Sequence, residues 1–257
     1  MIIMWMAGGL GNQLFILNKA LELKEKHRFL LIDTYFYQND YRYNRKFYFI
    51  GKLKVIPVLN KKFRYILFRL NKILNKINVF HFIQESNFEK IKIKFFQIIY
   101  LLGHWQEKII PKKQNIDVLN LLFKENIIKD ENLVAVHFRS EEYDIKLPLS
   151  YYLAALKVFD DTSYEFHLFG DSQEYLKEMK KEIFKNRKCK IVDLKDEIND
   201  FEELKSYKNY ISSNSTYCWW ALILNQENIL KATSPKKWNV GYKEEYSIYI
   251  PPKWELI

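Results

Sequence analysis

The chain has 257 residues, of which 48% are hydrophobic and 17% aromatic, and it carries a formal net charge of +10. This composition excludes long disordered regions and provides enough apolar surface for one large domain or two small ones. Its two cysteines, Cys189 and Cys218, stand outside any metal-ligand spacing and exclude a disulfide framework, and the N-terminus lacks the pattern of a signal peptide. No apolar run is long enough to span a bilayer, so we expect a soluble, cytoplasmic protein.

The first predicted elements are an apolar strand, MIIMWMA, and a helix from Asn12 to Lys26, joined by the segment GGLGNQ. Gly9 and Gly11 are expected in the strand-to-helix turn, where glycine allows positive φ and the first helical amides point outward as donors. Such a turn can hold an anion or a sugar, or it can merely connect the two elements. It also partly matches the dinucleotide fingerprint, with Asp33 ending the next strand, RFLLID, but the third glycine is missing.

A basic amphipathic helix is predicted from Lys61 to Lys76, KKFRYILFRLNKILNK. This segment holds six Lys or Arg residues and no acid, and its apolar residues recur at helical spacing. Together with the net charge, it indicates an acidic partner. The helix can lie on an anionic membrane surface, or it can pack its apolar stripe into its own domain. The apolar run KFFQIIYLLGHW follows.

Strand and helix signals alternate through the second half, which predicts an α/β fold with parallel sheets. A boundary near residue 125 would divide the chain into two Rossmann-like halves, 1–125 and 126–257. The predicted strands of the second half are NLVAVHF, YEFHLF, KCKIVDL and NYISS, and its predicted helices run from Ser150 to Phe159, Gln173 to Lys185, Phe201 to Tyr207 and Thr216 to Leu224.

Polar clusters follow three of these strands, at the sheet edge where open parallel sheets bind ligands. His137 and Arg139 are two residues apart and should project to the same side, where the Arg139 guanidinium suits a diphosphate. Alternatively, His137 bonds a neighbouring loop and Arg139 pairs with Glu141 or Glu142. Asp171 is placed either to cap a helix, with Glu174 completing a capping box, or to accept hydrogen bonds from a guanine base.

The third cluster, Asn214, Ser215 and Thr216, lies where a strand gives way to a helix. Its hydroxyls and the free amides of the helix can together hold an anion, although either hydroxyl can also be an ordinary N-cap. The sequence has no D-x-D, H-E-x-x-H, C-x-x-C or G-x-S-x-G motif, so the usual residues of metal-held diphosphate sites, zinc hydrolases and serine hydrolases are missing.

In this order, the clusters resemble the bacterial α-1,2-fucosyltransferases, glycosyltransferase family eleven. The motifs that carry the resemblance are GGLGNQLF, LLGHWQEKII, VHFRSEEYD, LPLSYYLAAL, HLFGDSQEYLKE, YISSNSTYCWWALIL and SPKKW, which together span nearly the whole chain. The last two correspond to the family patterns N-S-T-F-S-W-W and P-K-x-W. The resemblance implies a GT-B-type architecture of two facing Rossmann-like domains, an acceptor-side N-terminal domain and a donor-side C-terminal domain.

The resemblance also implies a metal-independent transfer of fucose from GDP-fucose, with inversion, to a bacterial surface glycan. His137 and Arg139 would then face the diphosphate, Asp171 the guanine, Ser215 and Thr216 the phosphates, and Asn12 the reacting sugar. Glu142 is favoured slightly as the acceptor base over the nearby Glu141 and Asp144. Ser140 stands where the family has a second arginine, Glu142 replaces an aspartate, and FGDS replaces F-S-D-D, so another GDP-linked deoxysugar or a heptose stays open as the donor.

Two further classes of function compete with the glycosyltransferase interpretation. A non-catalytic relative would bind the sugar nucleotide or a glycan without transferring the sugar, and a dinucleotide oxidoreductase would use the first glycine turn. Nucleic-acid binding is not expected, because the charge is unaccompanied by a recognition motif. The glycan acceptor can be an oligosaccharide or a lipid-linked glycan. A lipid-linked acceptor would bring the basic helix to the inner face of the bacterial membrane.

Overall fold

The computed structural model describes residues 1–38, 45–49, 51–52, 56–90, 93–94, 96–106, 110–125, 127–139, 146–193, 196–238 and 248–257. The chain divides into two compact units, one formed by Met1–Gln106 and Pro111–Leu122 and the other by Glu107–Ile110 and Phe123–Ile257. Each unit contains one sheet, and every strand pair in both sheets is parallel. The predicted α/β fold with parallel sheets is confirmed. The acceptor-side and donor-side roles predicted for the two halves stay predictions.

The sheet of the first unit has four strands in the order β2-β1-β4-β3. The strands are β1 (Ile2–Trp5), β2 (Leu30–Asp33), β3 (Phe80–Gln84) and β4 (Ile98–Leu102), and the helices are α1 (Leu10–Lys26), α2 (Lys61–Lys76) and α3 (Lys113–Asn120). Short 3₁₀ turns occupy Tyr35–Gln38 and Glu85–Lys90. Helix α1 packs against α3, whereas α2 lies against the sheet through Leu67, which is buried with Ile3 and Tyr100.

Two predictions of the first unit had different outcomes. The basic helix spans Lys61–Lys76 as predicted, because its periodicity is regular and Asn60 caps it by accepting bonds from the amides of Lys62 and Phe63. Helix α1 begins at Leu10 rather than Asn12, so Gly11 lies inside the helix and not in the turn. The predicted elements included neither β3 (FHFIQ) nor α3 (KQNIDVLN), both of which are short and contain polar residues.

The sheet of the second unit has six strands in the order β10-β9-β8-β5-β6-β7. The strands are β5 (Leu133–His137), β6 (Glu165–Phe169), β7 (Cys189–Ile191), β8 (Asn209–Ile211), β9 (Lys231–Ser234) and β10 (Glu255–Leu256). The helices are α4 (Leu149–Leu156), α5 (Gln173–Ile183), α6 (Glu197–Leu204) and α7 (Thr216–Leu224), with a 3₁₀ turn at Lys157–Phe159. From β5 the chain extends the sheet in one direction through β6 and β7, then returns to add β8, β9 and β10 on the other side. This is the doubly wound Rossmann order, and the chain changes direction between β5 and β8.

The core of the second unit is formed by its central strands and by apolar residues of three helices. Val134, Phe138 and Phe166 lie in one cluster with residues of α4 and α5, and Trp219 and Trp220 of α7 are completely buried. The predicted helix over 201–207 is instead α6, which begins four residues earlier because Asp196 accepts bonds from the amides of Ile198 and Asn199. Within the described ranges, no helix combines the length and the apolar character that crossing a bilayer requires.

Candidate functional site

The candidate site of the second unit lies at the carboxyl ends of β5 and β8, which are neighbours in the sheet. His137 is the last residue of β5, and the segment Ser212–Ser215 follows β8 and leads into α7. In a doubly wound sheet this is the point where adjacent connections diverge and leave a crevice for a ligand. The sheet order therefore brings together two of the predicted polar clusters.

His137 is a buried histidine whose ring is fixed by the opposite loop. Its Nδ1 lies 2.7 Å from the Ser213 hydroxyl, and its carbonyl accepts a bond from the Tyr152 hydroxyl at 3.3 Å. Burial lowers the pKa of His137 to about 4, against a smaller raising effect of the Asp171 charge, and Arg139 lowers it further. The imidazole is therefore neutral at physiological pH and can donate or accept a hydrogen bond in the crevice.

Arg139 connects the end of β5 to the same loop. Its Nη1 donates to the carbonyl of Asn214 at 2.8 Å, and the Asn214 side-chain amide donates to the carbonyl of Trp238 at 3.1 Å. A guanidinium has five N–H donors in a rigid fork, so it can hold this carbonyl and bind a diphosphate at the same time. The alternative pairing of Arg139 with Glu141 or Glu142 concerns residues outside those that the structure describes.

The N-terminus of α7 contributes backbone amides to this edge. Ser215 occupies the N-cap position of α7. Within the described range 196–238, its hydroxyl makes no capping hydrogen bond to the first amides of the helix. Ser215 is therefore the N-cap residue by position, as the sequence allowed, but its hydroxyl does not make the capping hydrogen bond. Thr216 begins the helix, and no acidic residue lies in its first turn, so the positive end of the helix dipole is not neutralised locally. These features suit an anion at the start of the helix.

Asp171 follows β6, the strand on the other side of β5. The helix after it is capped by Ser172, whose hydroxyl accepts a bond from the Tyr175 amide at 3.3 Å, so the capping role considered for Asp171 is wrong. Gly170 brings the two loops close, since a Cβ there would lie 3.0 Å from the carbonyl oxygen of Phe138. The exposed Asp171 side chain is near enough to His137 to influence its pKa.

The first unit has its own polar cluster at the carboxyl edge of its sheet. The Asn12 side-chain oxygen accepts a hydrogen bond from the Gln106 side-chain amide at 2.7 Å, which joins the first turn of α1 to the loop after β4. Gly8, with φ of +83°, is the glycine that the turn requires, since a Cβ there would also overlap Asn12. Trp105 adopts φ of +56°, and its amide donates to the Glu85 carboxylate at 2.7 Å. Gly9 is the N-cap of α1 with φ of −73°, so neither Gly9 nor Gly11 supplies the predicted positive φ.

Asp33 has a structural role in the first unit. It is 2% exposed and accepts bonds from the Arg64 Nε at 2.7 Å, the Tyr100 hydroxyl at 2.6 Å and the Tyr35 amide at 2.9 Å. These partners connect α2 to the sheet. A carboxylate that already accepts three protein donors is poorly placed to bind a ribose, which disfavours the dinucleotide interpretation of the first turn.

Some predicted residues cannot be placed, and others were missed. Glu142, the favoured acceptor base, and Ser140 lie outside the described residues. Sequence reasoning assigned no role to Ser213 or Gln106, although both occur in the motifs quoted above. The run YISSNST contains three serines, and only the register of β8 decides which of them faces His137. Across the part of the chain that the structure describes, no group of three or more His, Cys, Asp or Glu residues could hold a metal ion.

The burial of His137 predicts a specific pH dependence of stability. The pKa of His137 is about 4 in the folded chain, against an ordinary value of 6.5, so below pH 6.5 the unfolded chain binds a proton that the folded chain does not. The stabilisation is complete above pH 6.5 and is lost as the pH falls toward 4, by up to about 3 kcal/mol. We expect urea unfolding of His137→Gln to show a shallower loss of stability across this window. Parallel pH curves for the two proteins would contradict the assignment.

Comparison with known proteins places the chain near bacterial glycosyltransferases. No protein-family model matches it. The chain is 25% identical to the O-antigen biosynthesis glycosyltransferase WbnK of Escherichia coli, over 92% of this chain and 94% of that protein. It is 26% identical to an alpha-1,2-colitosyltransferase of Escherichia coli, over 98% and 97% of the two chains. Among solved structures, NodZ alpha-1,6-fucosyltransferase co-crystallised with GDP aligns with a TM-score of 0.49 and 12% identity, covering 87% of this chain and 92% of that one.

Proposed function

We propose that this protein is a glycosyltransferase that moves a sugar from a GDP-linked donor to a glycan of the O-antigen type. The observation that carries the proposal is the sheet edge at the carboxyl ends of β5 and β8, where Arg139, neutral His137 and the N-terminus of α7 lie close together. The two glycosyltransferase relatives, which align along nearly the whole chain, support the same class of reaction.

The chemistry asked of this sheet edge is stabilisation of a leaving diphosphate. In an inverting transfer, an acceptor hydroxyl oxygen forms a bond to the anomeric carbon while the bond from that carbon to the diphosphate oxygen breaks. Negative charge grows on the diphosphate, where the Arg139 guanidinium and the first amides of α7 act as preorganised donors. In this proposal these donors stabilise the diphosphate charge, and no metal ion takes part. Glu142 is the proposed base that takes the acceptor proton, and Asn12 of the first unit is proposed to bind the reacting sugar.

The donor base is proposed to be guanine and the sugar a deoxysugar of the fucose type. The Asp171 carboxylate can accept two hydrogen bonds from the N1–H and N2 amino group of guanine, a pairing that adenine and uracil cannot make. Support for a fucose-like sugar comes from the family resemblance and from the colitosyl relative. Colitose is fucose without its 3-hydroxyl, so the two donors differ by one hydrogen-bonding group. GDP-fucose is the leading candidate, and a GDP-linked deoxysugar or heptose is the alternative.

Calorimetric titration in the presence of a chelator tests this proposal directly. We expect GDP and GDP-fucose to bind, and IDP, UDP-glucose and NAD to bind at least tenfold more weakly. For IDP the reason is that inosine lacks the N2 amino group that Asp171 would accept a hydrogen bond from. In Asp171→Ala the preference for GDP over IDP should disappear. Asp161→Ala is the matched control, because Asp161 is likewise an exposed loop aspartate of the second unit. Its carboxylate accepts a hydrogen bond from the backbone amide of Ser163.

The titration, together with assays of donor hydrolysis and sugar transfer, distinguishes the competing functions. Selective GDP binding without metal supports a GDP-sugar enzyme, and comparison of GDP-fucose, GDP-colitose and GDP-mannose identifies the sugar. Selective binding with no donor hydrolysis and no transfer to any tested glycan would instead support the non-catalytic relative. Binding of NAD alone, or of no nucleotide, would contradict the proposal.

A further inference from the structure

Helix α2 exposes an apolar stripe that its own unit does not cover. Phe63, Ile66, Leu70, Ile73 and Ile77, the residue after the helix, follow one another at spacings of three and four. Such residues share one face of a helix, and each of these is between 39% and 61% exposed. Of the apolar residues at helical spacing, only Leu67 and Leu74 take the packing role that the sequence allowed for the whole face, and the others stay exposed.

The adjoining face of α2 attaches the helix firmly to the sheet. Leu67 is buried against Ile3 and Phe80, and Phe68 and Leu74 pack against the same cluster. Arg64 lies between two aromatic rings, with its guanidinium carbon 3.7 Å from the centroid of Tyr35 and 4.2 Å from that of Phe68. The helix is thus held in place without its exposed stripe, which remains available to a partner.

Positively charged Lys and Arg side chains lie beside the apolar stripe along the full length of the helix. At 100° per residue, Lys62, Arg69 and Lys76 form a row directly beside it, and Lys61 and Lys72 lie further round the same side. All five are exposed, and the helix has no acidic residue. A protein surface that buried this stripe would have to supply acids along its whole length, whereas an anionic bilayer offers both negative headgroups and an apolar interior.

We propose that α2 docks the protein on an anionic lipid bilayer. The helix would lie in the plane of the membrane, with Ile66, Leu70 and Ile73 in the boundary between headgroups and acyl chains and the neighbouring cations among the lipid phosphates. This inference does not depend on the proposed function, because it concerns a surface of the first unit and a different ligand.

Vesicle sedimentation of the full chain tests the proposal. We expect binding to phosphatidylcholine vesicles that contain roughly one third phosphatidylglycerol, with at least tenfold weaker partitioning to pure phosphatidylcholine and a loss of binding at high salt. Ile66→Ser/Ile73→Ser and Lys62→Glu/Lys76→Glu should each lower partitioning to the anionic vesicles by at least about tenfold. Circular dichroism should be unchanged, since none of the four side chains is buried.

Two matched controls exclude a general effect of hydrophobicity or charge. Leu121→Ser/Ile127→Ser removes apolar side chains that are 84% and 91% exposed, and Lys177→Glu/Lys181→Glu reverses exposed lysines of α5. Both controls should bind vesicles like the parent. Absent binding of the parent to anionic vesicles, or equal binding of the α2 variants, would overturn the proposal. So would lipid-free self-association, measured by analytical ultracentrifugation, that Ile66→Ser/Ile73→Ser abolishes, because the occupant would then be a second copy.

Discussion

Arg139→Ala is expected to raise the Kd for GDP by about 10- to 150-fold, the equivalent of one lost charge-assisted contact. In the proposed function the guanidinium binds the diphosphate, so its removal should lower transfer even more than binding, because the same group stabilises the charge that develops as the bond to the sugar breaks. In the free protein Arg139 holds the Asn214 carbonyl at 2.8 Å, and loss of this one bond should change the midpoint of unfolding little.

Arg187→Ala is the matched control for this experiment. Arg187 also donates through Nη1 to a backbone carbonyl, that of Phe159, at 2.9 Å, and it pairs with Asp160 at 3.1 Å. It belongs to the same unit but is remote in sequence from the loops of the crevice. GDP titrations by calorimetry and unfolding curves should be measured for both variants. If Arg139→Ala binds GDP like Arg187→Ala, the diphosphate role of Arg139 is wrong.

Asp33→Ala is expected to cost about 3 kcal/mol of unfolding free energy, the largest loss that we predict for a single substitution. The substitution leaves the Tyr100 hydroxyl without its partner at 2.6 Å and the Arg64 guanidinium without its carboxylate at 2.7 Å. Burial and the Asp33 charge raise the pKa of Tyr100 well above its ordinary value, so its hydroxyl stays protonated and donates at every physiological pH. Urea unfolding followed by circular dichroism measures the loss.

Two controls distinguish this buried network from an ordinary surface pair. Tyr100→Phe removes only one bond and should cost about 1 kcal/mol. Asp160→Ala breaks an aspartate–arginine pair whose carboxylate side chain is 82% exposed, so it should cost less than about 1 kcal/mol. A cost for Asp33→Ala no larger than that for Asp160→Ala would show that Asp33 does not hold α2 to the sheet and would reopen a ligand role for this residue.

Local patterns in the sequence determined the elements whose boundaries depend on near neighbours. Helices α2 and α7 span Lys61–Lys76 and Thr216–Leu224 as predicted, because helical periodicity and short-range hydrogen bonds act within a few residues. The same reasoning missed β9, whose sequence KATS has no apolar alternation. That segment becomes a strand because β8 and β10 pair with it on either side, and pairing of this kind is not encoded within four residues.

The candidate site shows the same division between local and tertiary information. The sequence alone was sufficient to single out His137, Arg139, Asp171 and the segment 214–216 as polar groups after strands, and it indicated a basic amphipathic helix. Only the tertiary structure decided that β5 and β8 are neighbours, which brings His137 to 2.7 Å from Ser213, 76 residues later. It also decided that Ser172 rather than Asp171 caps α5, that Asp33 is structural, and which stripe of α2 stays exposed. The reason is physical: periodicity identifies the apolar positions of an element, whereas their burial depends on neighbours that are distant in the chain.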